Sequence, residues 1–548
     1  MDNNCLLAEL MFPDITDTPE TLEEKFPARN LPEGAKVTRF APSPTGYMHL
    51  GNMFSGLIDR LAANTPGSIF YLRIEDTDKK REVSDAIDKI LLGLSTFGIT
   101  PDEGVTGKET EKGDYGPYKQ SKRKDIYGCM AKSLVKKGLA YPCFCTEEEI
   151  AALREQQEKD GKNPGYYGEY ARCRNLTFEE QKAKIEAGVP YTVRLRSDGD
   201  ENRRITVEDQ IKGKIEMPEN VQDIVLLKTD GIPTYHFAHA VDDHFMRTTH
   251  VVRGDEWIAS LPVHIQLFKA LGYKPPKYCH ISPIMKLDDG NKRKLSKRKD
   301  PEASVSFYVE QGYPRDGVIE YLMTLANSNF EEWRRANPDA DKFSFKFSFK
   351  KMSSSGALFD LAKLHDVCKN KISVMTTDEV YNSTVEWAKE YDTELYKLFT
   401  DRPDYAKAIL SIDRGCAKHR KDIIAWNGVK EYVSYFYNEL YTPSENVSEG
   451  VDPADAKAVI ETYMNIYDEN DDKDIWFTKI KDMCEPLGFT PNVKEYKKNP
   501  DAYKGHVGTV SNIIRLAVTG RANTPDLCAV MKLLGREEVL KRLAEAIE

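Results

Sequence analysis

Two short segments about 245 residues apart carry residue types suited to handling a phosphorylated substrate: residues 39–52 read RFAPSPTGYMHLGN and residues 294–298 read KLSKR. In the first, Gly46 and Gly51 let backbone approach a phosphate closely. A helix signalled from Leu50 would aim its positive N-terminus at the same place, with His49 at its entrance as a donor. The second segment supplies Lys294, Ser296, Lys297 and Arg298 inside the run KRKLSKRK at 292–299, a density of like charge that calls for an anionic partner. Phosphoryl chemistry of this kind forms no covalent enzyme intermediate; catalysis is positioning plus neutralisation of charge on the phosphates. Neither GxGxxG nor GxxxxGK[ST] occurs, so neither a dinucleotide site nor a Walker ATPase is suggested. Taken singly, each segment also reads as a glycine-bearing loop with a capping histidine or as a solvated basic loop. Their joint occurrence in this order carries the reading.

A second cluster is Cys143, Cys145 and, downstream, Cys173. Three soft ligands fall short of the four of a closed structural zinc site. No histidine occurs between His49 and His236, which excludes a local histidine as the fourth ligand. The alternative is three reduced cysteines in a small domain. Ten cysteines, mostly scattered over 548 residues, suit a reducing compartment better than a disulfide framework.

The elements that must position these residues follow from periodicity. Val37–Ala41 reads as a buried strand, Pro42–Gly46 as a rigid loop, and Leu50, Phe54, Leu57, Ile58 and Leu61 as one face of a helix ending near Asn64–Gly67. Ile69–Ile74 is a second strand, closed by Glu75 and Asp76. Such strand–helix–strand units place ligands beyond the carboxyl ends of their strands. Parallel-sheet character returns at Thr249–Arg253, followed by a helix with an apolar face of Ile258, Leu261, Ile265, Phe268 and Leu271. A short strand over Tyr278–Ile284 leads into the KLSKR loop. After about residue 355 the pattern is helical, ending in one amphipathic run from Leu527 to Ile547.

The fold class is therefore α/β: a Rossmann-like catalytic domain with an insertion, followed by an all-α region. The expected divisions are an appended acidic arm at 1–35, a first catalytic half at 36–115 and an insertion at 116–240. A second catalytic half at 241–355 carries the KLSKR loop, and the helical region spans 356–548. The net charge of −10 does not advertise a polyanion binder, although a sum can hide a local basic face. Lys119, Lys122, Arg123, Lys124, Lys132, Lys136 and Lys137 read as solvated helix faces when taken alone. No stretch is long and apolar enough to span a bilayer, and no signal-peptide pattern opens the chain, so the expected location is cytoplasmic.

RFAPSPTGYMHLGN, RIEDTD (73–78), PTYHFAHAVDDHF (233–245), THVVRGDEW (249–257) and KLSKR resemble, in order, the landmarks of bacterial-type glutamyl-tRNA synthetases, including the HIGH and KMSKS signatures of class I. The tail AVTGRANTPDLCAVMKLLGREEVLKRLAEA (517–546) is similar to the end of their anticodon-binding domain, which makes 356–548 an anticodon-binding region and 116–240 an acceptor-stem-binding domain. The resemblance runs from about Val37 to the C-terminus. It implies ATP, Mg²⁺ and L-glutamate, tRNA(Glu) with tRNA(Gln) as a further acceptor, one structural Zn²⁺ on Cys143, Cys145 and Cys173 with Tyr170 or Tyr167 as the fourth ligand, and a monomer. It places ATP on Gly46, His49, Gly51, Glu256, Trp257, Ser296 and Lys297, with His49, Lys294 and Lys297 catalytic. Glutamate falls on Arg39, Ala41, Ser43, Glu75, Tyr235 and Arg253, and the chemistry agrees: two carboxylates call for forked arginines and an ammonium for a carboxylate.

Arg253 favours glutamate over glutamine, since an amide needs no counter-ion, whereas His239 resembles the glutaminyl pattern. Asn52 stands where the HIGH motif has its second histidine. Three alternatives are a glutaminyl enzyme, a glutamylating tRNA-base-modifying enzyme and a catalytically silent tRNA-binding paralogue. Residues 355–548 argue against the second; His49, Lys294 and Lys297 argue against the third. In the helical region Trp426, Tyr432, Tyr435 and Tyr437 could stack on bases but read better as core. The run KFSFKFSFKK at 342–351 could line the tRNA path or form a half-buried strand.

Overall fold

The computed structural model describes residues 2–46, 48–78, 83, 85–296, 298–417, 419–444 and 446–548. They fall into two compact units, one of residues 1–307 and 319–360, the other of residues 308–318 and 361–548.

The first unit is built on strands β1 (Val37–Phe40), β2 (Ile69–Leu72) and β3 (Glu103–Val105), with a short β4 (Glu111–Lys112). β1 pairs parallel with β2, Val37 opposite Ile69, and β2 parallel with β3. Every residue of β1 is buried, Thr38 and Arg39 included, as expected of a parallel strand covered on both faces. The crossover is helix α3 (Leu50–Ala62), whose Leu50, Phe54, Leu57, Ile58 and Leu61 are all buried.

An antiparallel insertion follows, of β5 (Ala140–Cys143), β6 (Thr192–Leu195) and β9 (Val225–Leu227), with the hairpin β7 (Arg204–Asp209) and β8 (Gly213–Pro218). The parallel fold resumes with β10 (His250–Gly254) and β11 (Lys277–Ile281), paired parallel. β10 lies beside β1, joined where Thr249 N–H donates to Val37 O at 3.0 Å. The β7–β8 hairpin closes onto this pair: Val207 shares a core with Val251, Leu261 and Tyr278. Last comes the antiparallel hairpin β12 (Met285–Asp288) and β13 (Asn291–Lys294). Its turn residues Asp289 and Gly290 have φ of 48° and 80°, the left-handed pair that a tight two-residue hairpin requires.

Several expectations need correction. Residues 1–35 are not an appended arm. Helices α1 (Asn3–Met11) and α2 (Pro19–Lys25) bury Leu7, Ala8, Met11 and Leu22, with Phe26. They do so in the same core as α5 (Lys124–Lys136), α8 (Tyr235–Phe245) and α9 (Leu261–Leu271). Mixed acidic and apolar spacing hid two short helices. Nor is every cation of 119–137 on a solvated face. Lys119, Arg123 and Lys132 are buried, Arg123 against Asp242 at 2.7 Å and Lys132 against the carbonyls of Phe12 and Ile15. The helix expected across 258–271 begins as a 3-10 turn, Asp255–Ser260, and becomes α-helical only at Leu261. The run at 342–351 forms two 3-10 turns, Lys342–Ser344 and Phe349–Lys351, rather than a strand.

The second unit is helical among its described residues. Trp426, Tyr435 and Tyr437 are buried within one of its cores, with Tyr432 packed at its edge, which favours the core reading over base stacking. The single run expected over 527–547 is two helices, Leu527–Leu534 and Arg536–Glu545, broken where Gly535 takes φ of 81°. No helix among the described residues is long and apolar enough to cross a membrane.

Candidate active site

A cleft of about 700 Å³ opens at the carboxyl ends of β1 and β10. Arg39, Ala41, Ser43, Gly46, His49, Gly51, Glu75, Tyr235, Arg253, Glu256, Trp257, Lys294 and Ser296 all line it, so residues drawn from five separate stretches of sequence share one cavity. Lys297 lies outside the described residues. The sheet produces this convergence: β1 and β10 deliver Arg39 and Arg253 side by side, and the loops after them carry the rest.

At the mouth of α3 the sequence closes its own cap. His49 Nδ1 accepts the backbone N–H of Asn52 at 3.1 Å, and Asn52 Oδ1 accepts the N–H of His49 at 3.4 Å. This reciprocal capping box satisfies two of the helix's orphan donors. It explains why asparagine is serviceable at position 52 and, because Nδ1 accepts, it leaves Nε2 as the ring's N–H donor. A Cβ at position 51 would lie 3.0 Å from His49 Nδ1, so any larger residue there would press on the capping ring. Gly46, at φ of 154°, adopts backbone that side chains other than glycine's rarely allow.

The arginine side of the cleft rests on Asp243, which sequence reasoning did not single out. Asp243 is fully buried and binds Arg73 at 2.7 Å and Arg39 at 3.3 Å. Burial alone would push its carboxyl up, but Arg73, Arg39 and His239 hold it well below the usual carboxylate range. Arg39 also donates to Val252 O at 3.0 Å. Glu75 pairs with Arg73 at 3.0 Å, and burial raises its pKa above that of an exposed glutamate. The neighbouring Asp242 takes Arg123, Gln120 and Tyr127 at 2.7–2.9 Å. The paired acids of AVDDHF are thus structural: one carboxylate holds cleft arginines and the other ties α8 to α5.

His239 has both ring nitrogens near protein partners, Nδ1 2.6 Å from Asp243 Oδ2 and Nε2 3.1 Å from Tyr278 Oη. It is fully buried behind Tyr235, whose ring it stacks on at 6.1 Å. Desolvation lowers its pKa to about 3, so it is neutral. The histidine that resembled a glutaminyl feature is therefore committed to α8 and β11. Tyr235 packs on Trp257 with ring centroids 4.1 Å apart.

Arg253 donates from Nε to His280 Nε2 at 3.0 Å and from Nη1 to His264 Nδ1 at 3.2 Å, while its buried Nη2 has no hydrogen-bond partner among the described residues. An uncompensated buried guanidinium amine is costly, and a substrate carboxylate would relieve it.

The cysteines converge in the insertion. The Sγ atoms of Cys143, Cys145 and Cys173 lie within 4.8 Å of one another, Cys145 and Cys173 at 3.7 Å. About 3.8 Å is expected between sulfurs on a tetrahedral zinc with bonds of ~2.3 Å, so the thiols fit that ion. Hydrogen bonds from Cys145 and Cys173 pull the Cys143 thiol down, and the same pairing pushes Cys145 up. The adjacent tyrosine is Tyr166, whose hydroxyl sits 3.4 Å from Cys145 Sγ. Tyr170, the expected fourth ligand, instead pairs its ring with Tyr167. Tyr170 ends the 3-10 turn Gly168–Tyr170, of which Tyr167 is the N-cap, and packs at the edge of the core that holds Cys143 and Cys173.

A parallel α/β sheet, a capped helix mouth with a cationic hairpin loop opposite, and a separate helical unit define a class I aminoacyl-tRNA synthetase. Residues 36–366 match the family described as tRNA synthetases class I (E and Q), catalytic domain, and residues 495–547 match an anticodon binding domain. The glutamate–tRNA ligase of Clostridium perfringens strain 13 is 51% identical over 98% of this chain and 99% of its own length. That of Acetivibrio thermocellus is 48% identical over 98% of each. A crystal structure of a glutamate tRNA ligase from Elizabethkingia meningosepticum, in complex with its amino acid, superposes with a TM-score of 0.75. It is 28% identical over 94% of this chain and 99% of that one. The chain belongs to the glutamate–tRNA ligase branch of this class I family.

Proposed function

We propose that this chain activates L-glutamate with ATP and transfers it to the 3′ end of tRNA(Glu). The observation that carries the choice of amino acid is Arg253, buried in the cleft with Nη2 unpartnered and its guanidinium bound to no carboxylate among the described residues. A side-chain carboxylate would complete it; an amide would leave its charge uncompensated. Arg39, held by Asp243, and Glu75 would take the α-carboxylate and ammonium, with Ala41, Ser43 and Tyr235 walling the pocket.

In the first step the α-carboxylate of glutamate attacks the α-phosphorus of ATP, forming glutamyl-adenylate as pyrophosphate leaves. The N-terminus of α3, His49 and the cations Lys294 and Lys297 would neutralise the departing phosphates, with Gly46 and Gly51 giving close backbone approach. Glu256, Trp257 and Ser296 would position the nucleotide. Mg²⁺ accompanying ATP supplies further charge neutralisation. In the second step a hydroxyl of the terminal ribose attacks the adenylate carbonyl and AMP departs. In the insertion, Cys143, Cys145 and Cys173, with Tyr166, would hold a zinc ion that braces the acceptor-stem region without entering the chemistry.

The test is aminoacylation of tRNA(Glu) and tRNA(Gln) with labelled glutamate and glutamine in parallel, with Lys297→Ala as the blank. Glutamate on tRNA(Glu) is the expected product, and Arg253→Gln should lower kcat/KM for glutamate at least a hundredfold. Charging with glutamine in preference to glutamate would overturn the assignment.

A further inference from the structure

Arg253 differs from Arg39, the other buried arginine lining the cleft, and from Arg73, buried beside Asp243, in being held by imidazoles. Arg39 and Arg73 each meet a carboxylate. Arg253 instead donates to His280 on one side and His264 on the other, and both rings are fully buried. A neutral imidazole satisfies the geometry of an N–H donor without cancelling the charge behind it.

For that, each ring must present a lone pair to the guanidinium, and each has a partner that enforces it. His280 Nδ1 lies 2.7 Å from Asp209 Oδ2, which also accepts the His280 backbone N–H at 3.1 Å. Asp209 can only accept, so the proton sits on Nδ1 and the Nε2 lone pair faces Arg253. Burial opposes ionisation of Asp209, but hydrogen bonds from His280 and the N–H groups of Lys212 and Ile211 pull its pKa below the usual value. On the other side His264 Nδ1 accepts from Arg253, leaving Nε2–H to donate to His236 Nδ1 at 3.0 Å. Desolvation lowers the pKa of both His280 and His264, keeping them neutral. Asp209 stands at the end of β7, on the hairpin that packs against β10 and β11.

We propose that His280, oriented by Asp209, is the positioning residue that holds Arg253 as an uncompensated cation for the side-chain carboxylate of the amino-acid substrate, and so sets the preference for acid over amide. The inference rests on the reading of Arg253 given above. It also makes the β7–β8 hairpin of the insertion a determinant of amino-acid choice, through a residue that touches no substrate.

The experiment compares full-length His280→Leu, His280→Gln and Asp209→Ala with the unaltered enzyme in glutamate-dependent ATP–pyrophosphate exchange and in charging with glutamate and glutamine. His280→Leu should raise KM for glutamate at least tenfold, leave kcat and KM for ATP within twofold, and lower the glutamate-to-glutamine ratio of kcat/KM at least tenfold. His280→Gln restores an oxygen acceptor and should recover most of both. Asp209→Ala, which keeps the histidine but frees its tautomer, should move the same two quantities at least threefold. An unchanged glutamate-to-glutamine ratio in His280→Leu or Asp209→Ala would overturn the proposal, as would equal losses for glutamate and ATP, which mark a merely structural role. If His280→Leu does not fold, Asp209→Ala is judged by the same two criteria. Failure of the underlying reading would look different: the unaltered enzyme would not charge glutamate, or Arg253→Gln would leave its KM unchanged.

Discussion

Asp300 grips Arg293 through both carboxylate oxygens, at 2.6 and 2.8 Å, at the root of the KLSKR loop. The same buried carboxylate accepts the backbone N–H of Ser296 at 2.9 Å and Lys286 Nζ at 3.2 Å. Hydrogen bonding from Arg293, joined by Ser296 and Lys286, outweighs burial and holds its pKa well below the usual range. One acid thus ties both strands of the β12–β13 hairpin to the start of the loop. Asp300→Ala should free the loop and lower kcat for ATP–pyrophosphate exchange about tenfold, or ~1.4 kcal/mol of barrier, with KM for glutamate unchanged. An equal rise in glutamate KM would show instead that the whole cleft had shifted.

Buried histidines give the fold a pH limit on the acid side. Desolvation lowers His239 to about 3 and His250 to about 4, whereas an unfolded histidine titrates near ~6.5. Below that value the unfolded chain takes up protons that the folded rings refuse. The stability these rings confer is therefore complete above ~6.5 and drains away as pH falls toward 4 and then 3. Each contributes a slope approaching ~1.4 kcal/mol per pH unit. Asp243, whose folded pKa is depressed, adds a loss that begins only below ~3.9. The thermal midpoint should fall between pH 7.5 and pH 5, and His250→Gln should flatten the decline. A flat profile over that interval would sink the argument.

The parallel strands, the helix after RFAPSPTGYMHLGN and the basic loop are legible because each rests on a local signal: apolar runs, glycine positions, a dense basic run. Arg39, Glu75, Tyr235 and Arg253 carry no such signal and are legible only through the resemblance of the segments that hold them. Asp243, His280, Asp209 and Asp300 are legible in neither way. Each is a polar residue whose importance comes from a partner 27 or more residues away, or, for Asp300, from a bond made across a hairpin turn. Sequence periodicity has no term for either. Tyr170 is expected at the zinc cluster from the resemblance alone, whereas the hydroxyl that lies beside the thiols is that of Tyr166, 3.4 Å from Cys145 Sγ. The Leu527–Ile547 pattern kept its helical period through Gly535, and only the backbone there reveals the break.

The cysteine cluster predicts a measurable metal content. Purified protein should carry about one zinc per chain by elemental analysis, and Cys145→Ser should lose most of it. Because ligands must be thiolates, chelation should be easier at lower pH. Tyr166→Phe removes the hydroxyl beside Cys145 and should weaken retention, whereas Tyr170→Phe should not. Equal zinc loss in both tyrosine variants would refute the assignment of Tyr166, and zinc-free protein with full activity would leave the three thiols a packing cluster.

The N-terminal helices offer the sharpest contrast between an appendage and a structural part. Leu7, Met11, Leu22 and Phe26 share a core with Tyr127, Met130 and Leu134 of α5 and Phe237 and Val241 of α8. Polar ties run the same way. Glu9 meets Lys132 at 2.7 Å, Glu23 meets Arg247 at 2.6 Å, and Arg29 forks onto Glu103 at 2.8 Å while stacking over Tyr115. α8 carries Tyr235 and Asp243 on its cleft side, so what covers its other side steadies the glutamate pocket. Leu22, fully buried, should cost ~2–5 kcal/mol when replaced by alanine, visible as a lower thermal midpoint. A chain beginning at Pro32 should melt earlier still and expose apolar surface to a hydrophobic dye, with a raised KM for glutamate. If that shortened chain melted and charged tRNA like the full one, α1 and α2 would be dispensable, and their burial would carry no consequence for the site.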